Sequence, residues 1–298
     1  MPDGVDPAFA ALLSDPRAAL RRLAAHVPLR ALRAGANAFM ASAPQTPVHA
    51  VEDITASGPD GTIPLRLYRP SAAEDLPVIL FMHGGGFILG SLDTHDAMCR
   101  SLCSQTGAAV LAIDYRLSPE APYPAALDDI AAVQAMIVRG GAGPALDSTR
   151  IAIVGDSAGG HLAATAALTL PVRHVGLIYP MIDPAHATAS ADAFAEGYML
   201  TGSFVAWAWQ AYAGPASGAL TGVDLSRYPP TTILTAEYDP LRDEGEVFGA
   251  RLRAAGCDVA VERFGGMIHG FVGLPQLTAR ADEAIGAIAR RIRASFAS

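Results

Sequence analysis

Hydrophobic and polar positions along most of this chain follow two alternating periods. Short runs rich in β-branched and aliphatic residues, typical of buried strands, occur at 48–55, 62–69, 77–82, 108–114, 150–154, 174–179, 231–237 and 258–264. Longer segments with helical spacing follow the later runs, at 94–106, 124–139, 159–170, 243–255 and 276–296. This alternation predicts an α/β fold in which a mostly parallel sheet carries helices on both faces.

The start of the chain and one later helix carry additional local signals. The first two strand-like runs are joined by a short segment around Asp60-Gly61, which predicts a hairpin and therefore an antiparallel edge. In the helix at 243–255, Asp243 and Glu246 fit a capping box. Gly256 stands where a helix C′ residue is expected.

Two segments lie outside the strand–helix alternation. Residues 1–45 are rich in Ala, Leu and Arg and have an amphipathic helical pattern, and residues 183–228 are rich in aromatic residues. A long insertion after a strand usually forms a lid or a binding wall, so we expect both segments to form one helical cap. Surface helices that only cover the core are the alternative. The predicted division is 1–45 cap helices, 46–182 first part of the core, 183–228 cap insertion and 229–298 second part of the core.

Composition and charge narrow the function classes. The chain has 298 residues, of which 51% are hydrophobic, so it can bury the core of one α/β domain. A net charge of −8 with no basic run makes nucleic acid and membrane surfaces poor partners. All 21 basic residues are arginine, which excludes a lysine Schiff base, a Ser-x-x-Lys site and a Walker loop.

Targeting signals and cysteine usage predict a cytoplasmic protein. The N-terminus lacks the basic and apolar regions of a signal peptide, and no run of 18 apolar residues is present. An odd count of three cysteines fits a reducing compartment. Residues spaced four apart on one helix cannot all converge on one ion, so we interpret Cys99 and Cys103, near His95, as core residues and expect no metal site.

Two glycine-rich strings point to nucleophilic chemistry at serine. Gly155-Asp156-Ser157-Ala158-Gly159-Gly160 lies between a strand-like run and a helical segment, the context in which a serine becomes an exposed nucleophile on a tight turn. An ordinary anion-binding turn is the alternative. His83-Gly84-Gly85-Gly86 follows an earlier strand-like run, and such a loop supplies backbone N–H groups to an oxyanion. Together the strings predict acyl transfer through Ser157.

A nucleophilic serine needs a base and a residue that orients the base. His269 follows the last strand-like run, and Asp239 follows the run at 231–237. The carboxyl ends of parallel strands meet at one edge of a sheet, so these side chains are expected to lie near Ser157. The alternatives are a solvated loop histidine and an aspartate that forms a turn before Pro240. The order Ser157, Asp239, His269 is the order expected for this type of elbow.

These motifs resemble the bacterial hormone-sensitive-lipase family of α/β-hydrolase carboxylesterases over essentially the whole chain. The matching strings are His83-Gly84-Gly85-Gly86-Phe87, Asp114-Tyr115-Arg116-Leu117-Ser118-Pro119-Glu120, Gly155-Asp156-Ser157-Ala158-Gly159-Gly160, Asp239-Pro240-Leu241-Arg242-Asp243-Glu244-Gly245 and His269-Gly270-Phe271. The resemblance implies an eight-stranded α/β-hydrolase fold with a cap, and an oxyanion hole formed by the N–H groups of Gly85, Gly86 and Ala158. Gly84 would then be permissive rather than donating. Ser118, where alanine is common, is a mild departure.

The sequence therefore predicts a serine esterase acting on small esters with short to medium acyl chains, without metal or organic cofactor. Catalysis is assigned to Ser157, Asp239 and His269, and substrate binding to Phe87, Trp207 and Tyr212, with core packing as the competing role for the tryptophans. An amidase, arylformamidase or deacetylase remains the alternative among enzymes. A non-catalytic binder is a further alternative, because gibberellin receptors resemble this family. Those receptors lack the triad histidine, however, and the presence of His269 here favours a hydrolase. The sequence leaves open whether the protein is a monomer or a homodimer.

Overall fold

The computed structural model describes residues 4–14, 28–40, 43–141, 146–212 and 220–298. Within these ranges the eight strands are β1 Ala50–Gly58, β2 Gly61–Arg69, β3 Leu76–Met82, β4 Ala109–Ile113, β5 Leu146–Asp156, β6 His174–Ile178, β7 Thr231–Tyr238 and β8 Val259–Ile268. The helices are α1 Pro7–Ser14, α2 Leu29–Met40, α3 Asp96–Thr106, α4 Ala125–Val138, α5 Ala158–Ala166, α6 Ala189–Ala193, α7 Gly202–Tyr212, α8 Arg242–Ala254 and α9 Arg280–Ala297.

The strands form one sheet in the order β1-β2-β4-β3-β5-β6-β7-β8. The pairs β1/β2 and β2/β4 are antiparallel, and all other neighbours are parallel. The predicted hairpin is confirmed, since Gly58 pairs with Gly61 across a two-residue turn. The carboxyl ends of β3, β5, β6, β7 and β8 therefore meet at one edge of the sheet.

The core lies on both faces of this sheet, as a continuous hydrophobic strand pattern predicts. In β3, Val78 and Leu80 belong to one buried cluster, while Ile79 and Phe81 belong to a second cluster on the opposite face. The first cluster is completed by α4, α5, α7 and α8, and the second by α1, α3 and α9. Cys99 and Cys103 are buried in the second cluster, which confirms their interpretation as core residues.

Three local predictions need correction. The helix that follows Ser157 ends at Ala166 rather than at residue 170. Strand β8 continues to Ile268, beyond the predicted end of this strand at residue 264, and a register shift in the β7/β8 pair accompanies the extension. The capping box is wrong, because α8 begins after Leu241 with no side-chain cap. The predicted C′ position of Gly256 is confirmed, with φ +86° and an N–H that bonds to the Arg253 carbonyl.

Each of the two segments predicted to form a cap contains helices in the residues that the structure describes, although neither is helical throughout. The first contains α1 and α2, and the second contains α6 and α7. Residues 1–3, 15–27, 41–42 and 213–219 of these segments lie outside the described residues. No helix in the described ranges is both long and apolar enough to cross a membrane.

Candidate active site

Ser157 occupies a strained turn between β5 and α5. Its φ and ψ are 55° and −119°, a conformation that non-glycine residues adopt only where the surroundings enforce it. A Cβ at Gly155 would lie 2.1 Å from the Gly159 carbonyl oxygen, and a Cβ at Gly159 would lie 2.1 Å from the Met82 carbonyl oxygen. The two glycines are therefore required by close backbone approach. The Ser157 N–H bonds to the Ile178 carbonyl at 2.9 Å, which ties the turn to β6.

The structure brings Ser157, Asp239 and His269 together from the ends of three strands. His269 directly follows β8, and its Nδ1 lies 2.8 Å from Asp239 Oδ2 while its Nε2 lies 3.1 Å from Ser157 Oγ. Asp239 is fully buried, and its other carboxylate oxygen accepts the Leu241 N–H at 2.9 Å. An ionised carboxylate only accepts hydrogen bonds, so Nδ1 carries the imidazole proton and Nε2 is free to accept the serine proton.

The glycine loop after β3 lies directly against the serine turn. The backbone N–H groups of Gly85, Gly86 and Ala158 have no acceptor within the described part of the chain. Gly84 differs, because its N–H donates to Asp156 Oδ1 at 2.8 Å. Gly85 and Gly86 have φ values of +122° and +64°, so the loop has a backbone shape that side chains disfavour. Three free donors next to a nucleophile form the kind of arrangement that stabilises an oxyanion.

A buried polar network lies beneath the glycine loop and was not found from the sequence. His95 Nε2 lies 3.1 Å from Asp156 Oδ1, and its Nδ1 lies 2.7 Å from Thr94 Oγ1. Burial alone would raise the pKa of Asp156, but His95 and the Gly84 N–H outweigh burial and hold the pKa below its usual value. The carboxylate before the nucleophile is therefore charged near neutral pH and fixes Gly84 in place.

His83, the first residue of the loop, is also buried. Its ring stacks on Tyr115 with a centroid separation of 4.3 Å, and the Tyr115 hydroxyl donates to the His83 carbonyl at 2.7 Å. Burial, aided by the nearby His95, lowers the pKa of His83 to about 4. His83 is therefore neutral at neutral pH and supports the loop by packing and backbone contacts.

The three residues expected to bind substrate occupy different environments. Phe87 and Tyr212 are buried and stack on each other with a centroid separation of 3.9 Å. Trp207 is 38% exposed on α7, whereas Trp209 is buried against Phe87 and His161. Trp209 thus makes the contacts expected for core packing, the competing role of the tryptophans. Substrate binding by Phe87, Trp207 and Tyr212 stays a prediction.

Two aromatic residues that the sequence motifs do not include, Phe204 and Tyr179, lie close to the candidate site. The Phe204 ring covers the glycine loop, since a Cβ at Gly86 would lie 2.7 Å from Phe204 Cε1. The Tyr179 ring lies 4.6 Å from the His269 ring, measured between centroids. Tyr179 directly follows β6, so the rule that strand ends meet at one edge could have identified it. No sequence signal distinguishes Phe204 from the other aromatic residues of α7.

Asp243 joins the second helical segment to the start of α8. Its Oδ2 accepts the Ser190 N–H at 2.8 Å, and its own N–H donates to Ser190 Oγ at 3.0 Å. Ser190 Oγ also donates to the carbonyl of Pro240, the residue after Asp239. Asp243 therefore connects two segments of the chain and does not cap its own helix.

Comparison with known proteins identifies relatives along most of the chain. A profile described as the alpha/beta hydrolase fold matches residues 79–273. The carboxylic ester hydrolase LipN of Mycobacterium tuberculosis is 38% identical, over 92% of this chain and 78% of that protein. An ethyl acetate hydrolase of Pseudomonas putida is 34% identical, over 79% of this chain and 80% of its own length. The structure of an ester hydrolase from the metagenome of Lake Arreo is 34% identical with a TM-score of 0.90, covering 99% of this chain and 100% of its own.

Proposed function

The chain belongs to the alpha/beta hydrolase fold family, and from this premise we propose that it is a serine carboxylesterase of the hormone-sensitive-lipase type. The observation that carries the proposal is the position of His269, which lies 3.1 Å from Ser157 Oγ and 2.8 Å from Asp239 Oδ2. Relatives named as ester hydrolases support the same reaction class.

The reaction begins when Ser157 Oγ attacks the ester carbonyl and His269 Nε2 takes the hydroxyl proton. Asp239 holds the imidazole in the required tautomer and stabilises the imidazolium that forms. His269 then returns the proton to the leaving alkoxide, so that an alcohol departs and an acyl-enzyme remains. Water attacks this ester by the same route, with His269 as base, and releases the carboxylic acid and the free serine.

The negative charge on the tetrahedral oxygen needs donors that are already in place. We assign this role to the N–H groups of Gly85, Gly86 and Ala158, which have no other acceptor in the described residues. Loss of one such donor costs about 3–4 kcal/mol of transition-state stabilisation in a well-studied protease. The Gly84 N–H already donates to the Asp156 carboxylate, so Gly84 helps to set the position of the loop and does not donate to the oxyanion.

The substrates in this proposal are small esters with short to medium acyl chains, about four to eight carbons. The bulky side chains of α7 support this size limit, since Phe204 packs over the glycine loop. The named activity of the ethyl acetate hydrolase is also consistent with small esters. Residues 1–45 and 183–228 together form the proposed cap, and the three free cysteines support a cytoplasmic location.

The decisive experiment compares the parent with Ser157→Ala on a panel of p-nitrophenyl esters and matched amides. Ester turnover should disappear in the variant while its melting temperature stays close to that of the parent, because only Oγ is removed. A serine-directed organophosphate should label Ser157 once per chain in the parent. Labelling of another serine, or faster turnover of amides than of esters, would contradict the proposal.

A further inference from the structure

Arg33 of helix α2 bonds to the segment that carries the glycine loop. Arg33 Nε donates to the Ile88 carbonyl at 2.8 Å, and Nη2 donates to the Ser118 carbonyl at 3.1 Å. The same guanidinium forms a two-pronged pair with the Glu120 carboxylate, at 2.8 and 2.9 Å. Only a planar guanidinium can satisfy three partners in this way, because a lysine ammonium lacks the fixed fork.

The carbonyl that receives Arg33 Nε belongs to the same tight turn as the proposed oxyanion donors. The N–H groups of Ile88 and Leu89 both bond to the Gly85 carbonyl, at 3.2 and 2.8 Å. The Phe87 carbonyl, which shares a peptide group with the Ile88 N–H, accepts the Ser118 N–H at 2.9 Å. Arg33 therefore bonds to the turn itself, at the Ile88 carbonyl. It also bonds to the neighbouring segment, at the carbonyl of Ser118, whose N–H bonds to the turn.

A second contact joins the same two parts of the molecule. Ser91 Oγ donates to Asn37 Oδ1 at 3.3 Å, one helical turn beyond Arg33 on α2. The segment from Gly85 to Ser91 is thus held on one side by Asp156, through Gly84, and on the other by α2. The contacts from α2 come from outside the central sheet.

From these contacts we propose that Arg33 is a positioning residue: through it, the position of helix α2 against the glycine loop sets the geometry of the oxyanion hole. This inference rests on the proposed esterase function and deepens it. The residue touches neither substrate nor nucleophile, and it acts by fixing the Ile88 carbonyl and hence the peptide groups of Gly85 and Gly86. A small displacement of preorganised donors weakens their bonds to the transition state more than it weakens substrate binding.

A simple surface ion pair is the competing explanation. Glu120 is 60% exposed, and exposed pairs contribute little stability because water screens them. Arg33 is only 27% exposed, and two of its partners are backbone carbonyls that the ion pair does not involve. The two explanations therefore predict different effects of Glu120→Gln, which removes the charge of the pair but keeps the carbonyl contacts, and of Arg33→Met, which removes both.

The test measures kcat, KM and the inhibition constant of a trifluoromethyl ketone, which adds reversibly to a serine and places an oxyanion in the hole. For Arg33→Met we expect kcat to fall about tenfold or more with KM changed by less than about twofold. The ketone should bind more weakly by about the factor lost in kcat/KM. Glu120→Gln should stay within about threefold of the parent, and Arg33→Lys should lie between the two.

The control variant is Arg30→Met, which removes an exposed arginine from the same helix and should behave like the parent. If Arg33→Met does not fold, Arg33→Lys carries the test, because it keeps the charge and most of the bulk. An unchanged kcat in a folded Arg33 variant, or a rise in KM alone, would overturn the positioning role. Failure of the parent itself to hydrolyse esters would instead contradict the proposed function, so the two failures are distinguishable.

Discussion

The carboxylate of Asp156 accepts the backbone N–H of Gly84 at 2.8 Å, so the residue before the nucleophile holds the residue before the proposed oxyanion donors. The two residues are 72 positions apart in sequence, and their buried contact joins the two halves of the candidate site. A contact in the protein interior therefore contributes to the relative position of the two halves.

This contact predicts a sharp effect of Gly84→Ala. The new Cβ would lie 2.4 Å from Asp156 Oδ2, so the loop or the carboxylate must move by about 1 Å to reach ordinary contact distance. We expect kcat/KM to fall by about tenfold to a hundredfold, since displacements of this size misplace catalytic donors. Gly35→Ala is the matched control, because a Cβ there meets nothing within 4 Å. Equal rates in the two variants would show that the Gly84 contact does not position the loop.

Asp239 and Asp243 lie four residues apart and should behave differently when changed to asparagine. Asp239→Asn removes the charge that holds the His269 tautomer, and kcat should fall by about 10⁴, as in the best-studied serine triad. Asp243→Asn weakens only the contacts to Ser190 and Arg242, so kcat should stay within about tenfold of the parent while the melting temperature decreases. Steady-state kinetics and thermal melts of both variants check the contrast. A larger loss of kcat at Asp243 would reverse the assignment.

Acid should destabilise the fold through its buried histidines. Burial, with a smaller effect of Arg291, lowers the pKa of His174 to about 4 from an ordinary value of 6.5. Between these values only the unfolded chain takes up the proton, so the free energy of unfolding falls as the pH drops from about 6.5 to about 4.

His174→Asn tests this dependence, because asparagine keeps a polar side chain but does not titrate. Its melting temperature should depend less steeply on pH in the range of about 4 to 6.5. Some dependence should remain, since burial also lowers the pKa values of His83 and His161 to about 4. An unchanged slope in the variant would mean that His174 is not protonated on unfolding in this range.

The packing of Phe204 on the glycine loop predicts its influence on acyl-chain length. Phe204→Ala removes the ring next to Gly86 and should shift the best substrate toward longer acyl chains. Trp207→Ala should change the profile less, because Trp207 is 38% exposed. The measurement is kcat/KM for p-nitrophenyl esters from acetate to palmitate. A larger shift in Trp207→Ala than in Phe204→Ala would favour the original assignment of Trp207 to the binding wall.

The sequence predicted the strands well because buried parallel strands leave a strong local pattern. All eight are present, and the positions of Ser157, Asp239 and His269 follow from the rule that strand ends share an edge. The end of β8 was missed because Gly265 and Gly266 suggest a loop. In the structure a bulge in the β7/β8 pair lets the strand continue past them, and Tyr238 still pairs with Ile268.

The errors elsewhere come from contacts between distant parts of the chain. Asp243 and Glu246 have the spacing of a capping box, but Asp243 bonds to Ser190, 53 residues away, and Glu246 bonds to Arg263. The pair of His95 and Asp156 is 61 residues apart and has no local signature. The hydrophobic periodicity of a segment indicates whether it is a helix or a strand, but not which distant residues it contacts. These contacts can therefore be identified only from the three-dimensional structure.

Ser157 is bonded through its backbone to the segment that leaves β6, by the Ile178 carbonyl and the Met181 N–H. The nucleophile is thus anchored in the central sheet, whereas α2 and α7, which contact the glycine loop from outside, contribute no strand to that sheet. We therefore expect that partly buried side chains of α7 such as Phe204 can be exchanged to change which esters are accepted, while the backbone of Ser157 keeps its position in the sheet.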